Sequence, residues 1–306
     1  MQKDIPLIYS LKAFCAFAVV AIHSNLAHKE LIVPLLRTAV PVFFIISGYF
    51  YNIASTTRIL KKIFKLCIIT NVIYLLYHTI IYAYRGENYI IEIFNVNFFI
   101  RQLFFGNMIE GVLWYLTAYL EVIAILWFLQ RYFNLKRIAI ISFFLLIIGI
   151  ICGAYGKVLH TQNYLLTGGA LMIGLPAVVS GMLIRIYEKR VLQINTTKVL
   201  LILLLFSYLE YYSLFKFNNN SYHFGGDIFI FTLPLAVSIF ILVLKNRSLH
   251  IPYIEYIGKK DSTFIYSYHM LIQYCIMFLL GYCNFFILLS TCLILKFAYN
   301  KICERI

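Results

Sequence analysis

Charge is scarce in this sequence: Asp, Glu, Lys and Arg supply 12% of its 306 residues, against 62% hydrophobic residues and a mean hydropathy of +0.86. Soluble globular domains carry about 25% charged residues, so a soluble fold is excluded and a polytopic membrane protein is expected. Acidic residues are rarer than basic ones, 12 against 26, for a net charge of +14. The basic residues are dispersed between apolar runs rather than gathered in one tract, which argues against a nucleic-acid partner and makes their distribution a report on topology. The 7 cysteines lack metal-ligand spacing and read as buried apolar residues. His28, His78, His160 and His250 show no spacing that would converge on a metal, so no metal is expected and no role is assigned to them. Internal repeats and low-complexity tracts are absent, and no gap between apolar runs suits a separate soluble domain. One membrane domain over residues 1–306 is therefore expected.

Long apolar runs fill the rest. About 20 helical residues cross a hydrocarbon core about 30 Å thick, and ten runs approach that length: 5–26, 33–53, 63–84, 110–130, 137–155, 164–186, 198–216, 225–244, 262–280 and 282–299. The pattern predicts an all-α bundle of about ten transmembrane helices. The first run holds Lys12 and has no small-residue cleavage pattern behind it, so it reads as a retained helix rather than a signal peptide. Between the third and fourth runs, Asn88 to Phe105 mixes apolar and polar residues and predicts an interfacial segment. Loops on one side of this map receive 19 Lys and Arg, while the other side receives only Lys29, Arg37, Arg85, Arg101, Lys157 and Lys216. Cytoplasmic loops are enriched in these residues, so both termini are expected in the cytoplasm and the protein in the cell membrane.

Lys12 and His23 break the apolar pattern of the first run. Eleven positions at about 100° each bring both side chains to one helix face, about 16 Å apart along the axis. An ionisable group inside a membrane costs on the order of 2.5 to 3.5 kcal/mol on insertion scales, so two on one stripe call for a polar interior. In the expected topology Lys12 lies in the cytoplasmic half and His23 near the outer surface. The second run returns through Pro41 to Gly48, bringing Ser47 and Gly48 to the depth of Lys12, where they provide either a close-packing seam or contact with a threaded ligand.

Histidine suits proton abstraction near neutral pH, since its unperturbed pKa is about 6.5. A carboxylate partner would orient the ring, and depth alone favours Glu110. Trp114 falls near the outer interface, either as an interfacial indole or as a wall against a sugar and a brace for His23. Glu121 follows seven positions later on the same face, as a functional carboxylate or as a structural partner for Lys12. His269 sits at mid-depth in the ninth run, lining a donor path or hydrogen-bonding across the bundle. Glu210, beside Tyr208, Tyr211 and Tyr212, forms a polar patch that can face an acceptor. The turn-rich segment Asn218 to Asp227 reads as a connection or an acceptor-binding loop.

These residues also carry a resemblance. Lys12-x10-His23 resembles the Arg/Lys-x10-His signature of the membrane-bound acyltransferase family 3, the group that includes surface-glycan O-acetyltransferases. Pro41 to Gly48 is similar to that family's Pro-x-Phe-Phe-x-x-Ser-Gly segment. Gly111-Val112-Leu113-Trp114-Tyr115-Leu116 is similar to its Leu-Trp-Phe/Ser-Leu segment, and Phe264 to His269 to its late Tyr-x-x-His element. The four segments stand in the family's order and span nearly the whole chain. The usual arginine is lysine here, which lacks the bidentate fork for phosphate or carboxylate.

The resemblance implies O-acetylation: transfer of an acyl group, commonly acetyl from acetyl-CoA, onto a hydroxyl of a surface-polysaccharide sugar, a lipid-linked glycan or a similar acceptor. With the residues singled out above by depth and pattern, Glu110, Glu121 and Glu210 among them, the catalytic candidates are then His23 and Glu110, the donor-binding ones Lys12, Ser47 and His269, and the acceptor-binding ones Trp114, Tyr115, Glu121 and Glu210. The expected partners are thus acyl-CoA, the glycan and membrane lipids. A transporter of a small polar solute such as an amino acid is the alternative. Such a carrier is expected to show paired Gly/Pro-broken helices in related halves, and the sequence has no such symmetry.

Overall fold

The computed structural model describes residues 5–89, 98–99, 101–102, 109–162, 169–218 and 228–303. Most of the expected interfacial segment 88–105 and nearly all of the loop 218–227 lie outside the described residues. Among the described residues the chain is helical throughout and free of β-strands, with seven helices long and apolar enough to cross a membrane and three shorter apolar ones. The protein is an all-α, multi-pass membrane bundle.

We number the apolar helices α1 Pro6–His23, α2 Ala39–Tyr49, α3 Thr56–Tyr84, α4 Trp114–Tyr132, α5 Leu135–Cys152, α6 Leu175–Ile186, α7 Thr196–Phe217, α8 Thr232–Lys245, α9 Ser262–Leu280 and α10 Phe285–Cys303. Short helical pieces lead into several of them: Val33–Leu36 before α2, and π-helical turns Ala170–Gly174 before α6 and Ile257–Asp261 before α9. The ten runs read from the sequence correspond to these ten helices, and the differences lie at their ends. Helix α3 starts at Thr56 rather than 63 because its first turns carry Arg58, Lys61 and Lys62, long side chains that lay apolar stems along a helix while their heads stay in water.

Helix α1 occupies the centre. In its most apolar stretch 56% of the residues are buried, against 11 to 44% in the other six long helices. Pro6 in its first turn is preset for helical geometry and has no N–H to leave unpaired. Helices α2, α8, α9 and α10 and the π-turn Ile257–Asp261 all pack on α1. Gly258 in that π-turn permits the contact, since a Cβ there would overlap the Tyr9 carbonyl of α1.

The tightest helix pair is α2 with α6. A Cβ on Gly48 would overlap the Val178 carbonyl, and one on Gly181 would overlap the Ile45 carbonyl, so each glycine admits the other helix's backbone. Gly48 is thus a close-packing residue, and Ser47 turns its hydroxyl to the Phe43 carbonyl, 2.9 Å away.

Beyond this seam, Glu188 ties three helix ends together, accepting from the Tyr49 hydroxyl at 2.7 Å and from the Arg247 guanidinium at 2.8 Å. Burial pushes the Glu188 carboxyl up, but the bonds from Arg247 and Tyr49 outweigh it and hold the group below its ordinary value.

Two outcomes follow from this packing. Gly48→Ala overpacks a backbone contact and is expected to cost about 1 to 3 kcal/mol, read as a lower melting temperature of the purified protein in detergent. Because Glu188 is depressed in the folded state, its contribution is present above the ordinary carboxylate range and is lost as pH falls through the folded value. Glu188→Gln should therefore melt below the wild type at pH 7, and the gap should close in acid.

Candidate active site

His23 is the last residue of α1, and its ring opens into a cavity of about 180 Å³. Apolar walls come from Val19 and Ile22 of α1, Val40 and Pro41 at the start of α2, and Val112, Ile173 and Ile228. The polar lining is Arg37, Trp114, Thr232 and Tyr266. The Arg37 guanidinium lies 5.0 Å from the ring centre of Phe229, within cation–π range. The cavity follows α1 inward as far as Val19. Lys12 lies seven residues, about 10 Å, further along the same helix, half-buried and within electrostatic range of Lys62 on α3. Lys259 lies near the same end of α1, its ammonium 5.0 Å from the Tyr9 ring.

A second imidazole stands beside His23. His269 of α9 is completely buried, and its ring centre is 5.4 Å from that of His23. Its Nδ1 lies 2.8 Å from the Tyr266 carbonyl and 3.1 Å from the Ile265 carbonyl. Carbonyls only accept, so Nδ1 carries the proton and donates.

The structure gives Glu110 other partners than His23. One carboxylate oxygen lies 3.3 Å from His78 Nε2. The other accepts from the Gly111 N–H at 2.9 Å and from the Tyr274 hydroxyl at 3.4 Å. Similar depth did not bring Glu110 and His23 together, because Glu110 lies at the junction of α3, α4 and α9. His78, to which the sequence assigned no role, is its neighbour, ringed by Tyr74, Tyr77, Tyr89 and Tyr274. Glu110 caps the turn Gly111–Leu113 that leads into α4. It thereby sets the position of Trp114, the first residue of α4 and a wall of the cavity.

Tyr115 sits in the core behind Trp114. Its ring packs on Phe43, Phe44, Tyr119 and Tyr266. Tyr266 fastens α9 to the same region by donating to the Val112 carbonyl. Glu121 is half-buried on α4, has no hydrogen-bond or ion-pair partner among the described residues and does not pair with Lys12.

Glu210 lies outside the cavity. It accepts from the Tyr155 hydroxyl at 2.6 Å and from the backbone N–H groups of Ile230 and Phe231 at 2.7 and 3.1 Å. With both oxygens engaged it is an anchor for the entry to α8, whose Thr232 and the preceding Ile228 line the cavity. Sequence reasoning missed Arg37 and Thr232. Arg37 was counted as one loop cation among several, and its place two residues before α2 was the available signal.

The order of the four motif segments along the chain becomes spatial convergence: α1, the start of α2, the turn into α4 and the middle of α9 meet around His23. A family model described as an acyltransferase domain, that of acyltransferase family 3, matches residues 8–298. The chain belongs to acyltransferase family 3. No curated protein and no solved structure matches it. This acyltransferase is therefore an enzyme, and the cavity around His23 is the candidate place for its chemistry.

The protein has 2 tryptophans, which makes the role of Glu110 measurable. In a Trp127→Phe background, emission reports on Trp114 alone. Glu110→Ala removes the cap on Gly111 and the partner of His78, and is expected to shift Trp114 emission to the red, while Glu110→Gln shifts it less.

Proposed function

We propose that this acyltransferase moves an acyl group, acetyl by resemblance, from cytoplasmic acyl-CoA to a hydroxyl of a glycan or lipid-linked glycan on the outer face of the cell membrane. The observation that carries the reading is an imidazole at the end of the central helix, opening into a cavity walled by an indole and a guanidinium, with a cation on the same helix nearer its other end.

In the proposed orientation both termini are cytoplasmic and His23 lies toward the outside, following the 19 to 6 division of basic residues. Lys12, Lys62 and Lys259 then gather at the cytoplasmic end of α1, where their charge attracts the polyphosphate end of acyl-CoA. The pantetheine arm extends along α1, past side chains between Lys12 and Val19 that must part to admit it, and brings the thioester to His23. On the other side Trp114 offers a face to a sugar ring and Arg37 a fork for its oxygens.

The transfer needs one base. His23 takes the proton of the attacking hydroxyl, the hydroxyl oxygen bonds to the thioester carbonyl carbon, and the carbon–sulfur bond breaks to release CoA thiolate, which is then protonated. As the last residue of α1, His23 faces the negative end of the helix dipole, which stabilises positive charge forming on the ring. Glu110 and Glu210 act on this chemistry by holding Trp114 and the entry to α8.

The test is reconstitution with labelled acetyl-CoA and a candidate outer-face glycan. Wild type is expected to transfer label, and His23→Ala to lose transfer by 10²-fold or more, the usual order for removing a general base. Lys12→Ala should raise the Michaelis constant for acetyl-CoA more than that for the glycan. A folded His23→Ala protein that transfers at the wild-type rate, or solute flux without thioester consumption, would overturn the reading.

A further inference from the structure

His269 carries an unmet hydrogen-bonding atom at the centre of the protein. With Nδ1 donating to the Ile265 and Tyr266 carbonyls, the neutral ring keeps its lone pair on Nε2. That Nε2 is buried and has no partner among the described residues, a condition that costs free energy in a protein interior unless a ligand relieves it. The ring is wholly buried and held from one side by its own helix, so Nε2 is aimed by the fold rather than free to swing to water. It stands beside His23, at 5.4 Å between ring centres, yet His269 is not part of the lining of the cavity that holds His23 and Trp114. A ligand group that reaches Nε2 therefore requires packed side chains to part, must bear an N–H or O–H, and ends beside the ring of His23.

We infer that His269 Nε2 is the acceptor for the cysteamine amide N–H of the acyl-CoA donor. The inference rests on the acyl-CoA reading above and assigns one atom of that site. In an acyl-CoA the first N–H group stands three bonds from the thioester sulfur, a span of about 4 Å at standard bond lengths. With that N–H on His269, the thioester carbon falls against His23, across a separation comparable to that of the two rings. His269 is then a donor-positioning residue: it accepts a hydrogen bond from the donor and takes no proton from the hydroxyl. The neighbouring thioester oxygen and sulfur are acceptors only and cannot satisfy Nε2, which leaves the amide as the matching group.

The experiment measures equilibrium binding to the full-length protein in detergent of two radiolabelled probes. One is acetyl-CoA, and the other is its analogue with an ester oxygen in place of the cysteamine N–H. Wild type should bind the analogue about tenfold more weakly, the effect of one hydrogen bond. His269→Ala should bind both probes equally, at about the level of wild type with the analogue. A general structural role for His269 would weaken both probes alike and keep the preference, so the loss of preference is the signature. Equal binding of the two probes by wild type would overturn the inference with no variant needed, and so would an undiminished preference in His269→Ala. Failure of wild type to bind acetyl-CoA at all would remove the acyl-CoA reading along with it, which separates the two failures.

Discussion

The structure depends on placing ionisable groups on the helix that is least able to reach water. Helix α1 is the most enclosed of the long helices and carries Lys12 and His23 on one stripe. Inside a bilayer such groups persist only where the bundle supplies a polar surround or a cavity. The surroundings of α1 differ at its two ends. At the Lys12 end the neighbours Lys62 and Lys259 are themselves cations, which repel the Lys12 ammonium and suit an anion arriving there. At the His23 end lies a cavity with mixed polar walls and a second, buried imidazole.

The groups that build this centre are held by residues that do not enter it. Glu110 fixes the turn before Trp114, and Glu210 fixes the segment before α8. The interlocked Gly48 and Gly181 set how closely α2 and α6 approach, and α2 carries Pro41 to the cavity. Carboxylates that look functional by their rarity in an apolar sequence are here mostly consumed by backbone N–H groups, phenols and a histidine. In a membrane the backbone groups left at helix starts have little water to satisfy them, so a buried acid is an economical cap.

Much of the architecture was legible in the sequence, because bilayer thickness fixes helix length and the ten apolar runs correspond to ten helices. The run at 225–244 holds the helix Thr232–Lys245, and α3 began a full two turns before its apolar stretch, since a basic helix end does not look apolar. The stripe from Lys12 to His23 and the outer position of Trp114 pointed to His23 and Trp114 together, while Pro41 and Tyr266 joined them only in the structure. What a single sequence does not carry is which helices adjoin. Equal depth suggested Glu110 for His23, whereas adjacency gave His78 to Glu110 and His269 to His23. Arg37 was hidden for a related reason, because a cation in a short loop reads as topology until the loop is seen to fold over a cavity.

On the proposed route the thioester of a cytoplasmic acyl-CoA reaches His23 through the interior of the bundle. The most direct measurement is photocrosslinking with an acyl-CoA whose short acyl group carries a diazirine, followed by mapping of the adducts. Adducts are expected on residues flanking His23, such as Val19, Ile22 and Tyr266, and excess unlabelled acetyl-CoA should suppress them. Adducts confined to the loops and helix ends near Lys12, with none near His23 under saturating probe, would contradict it.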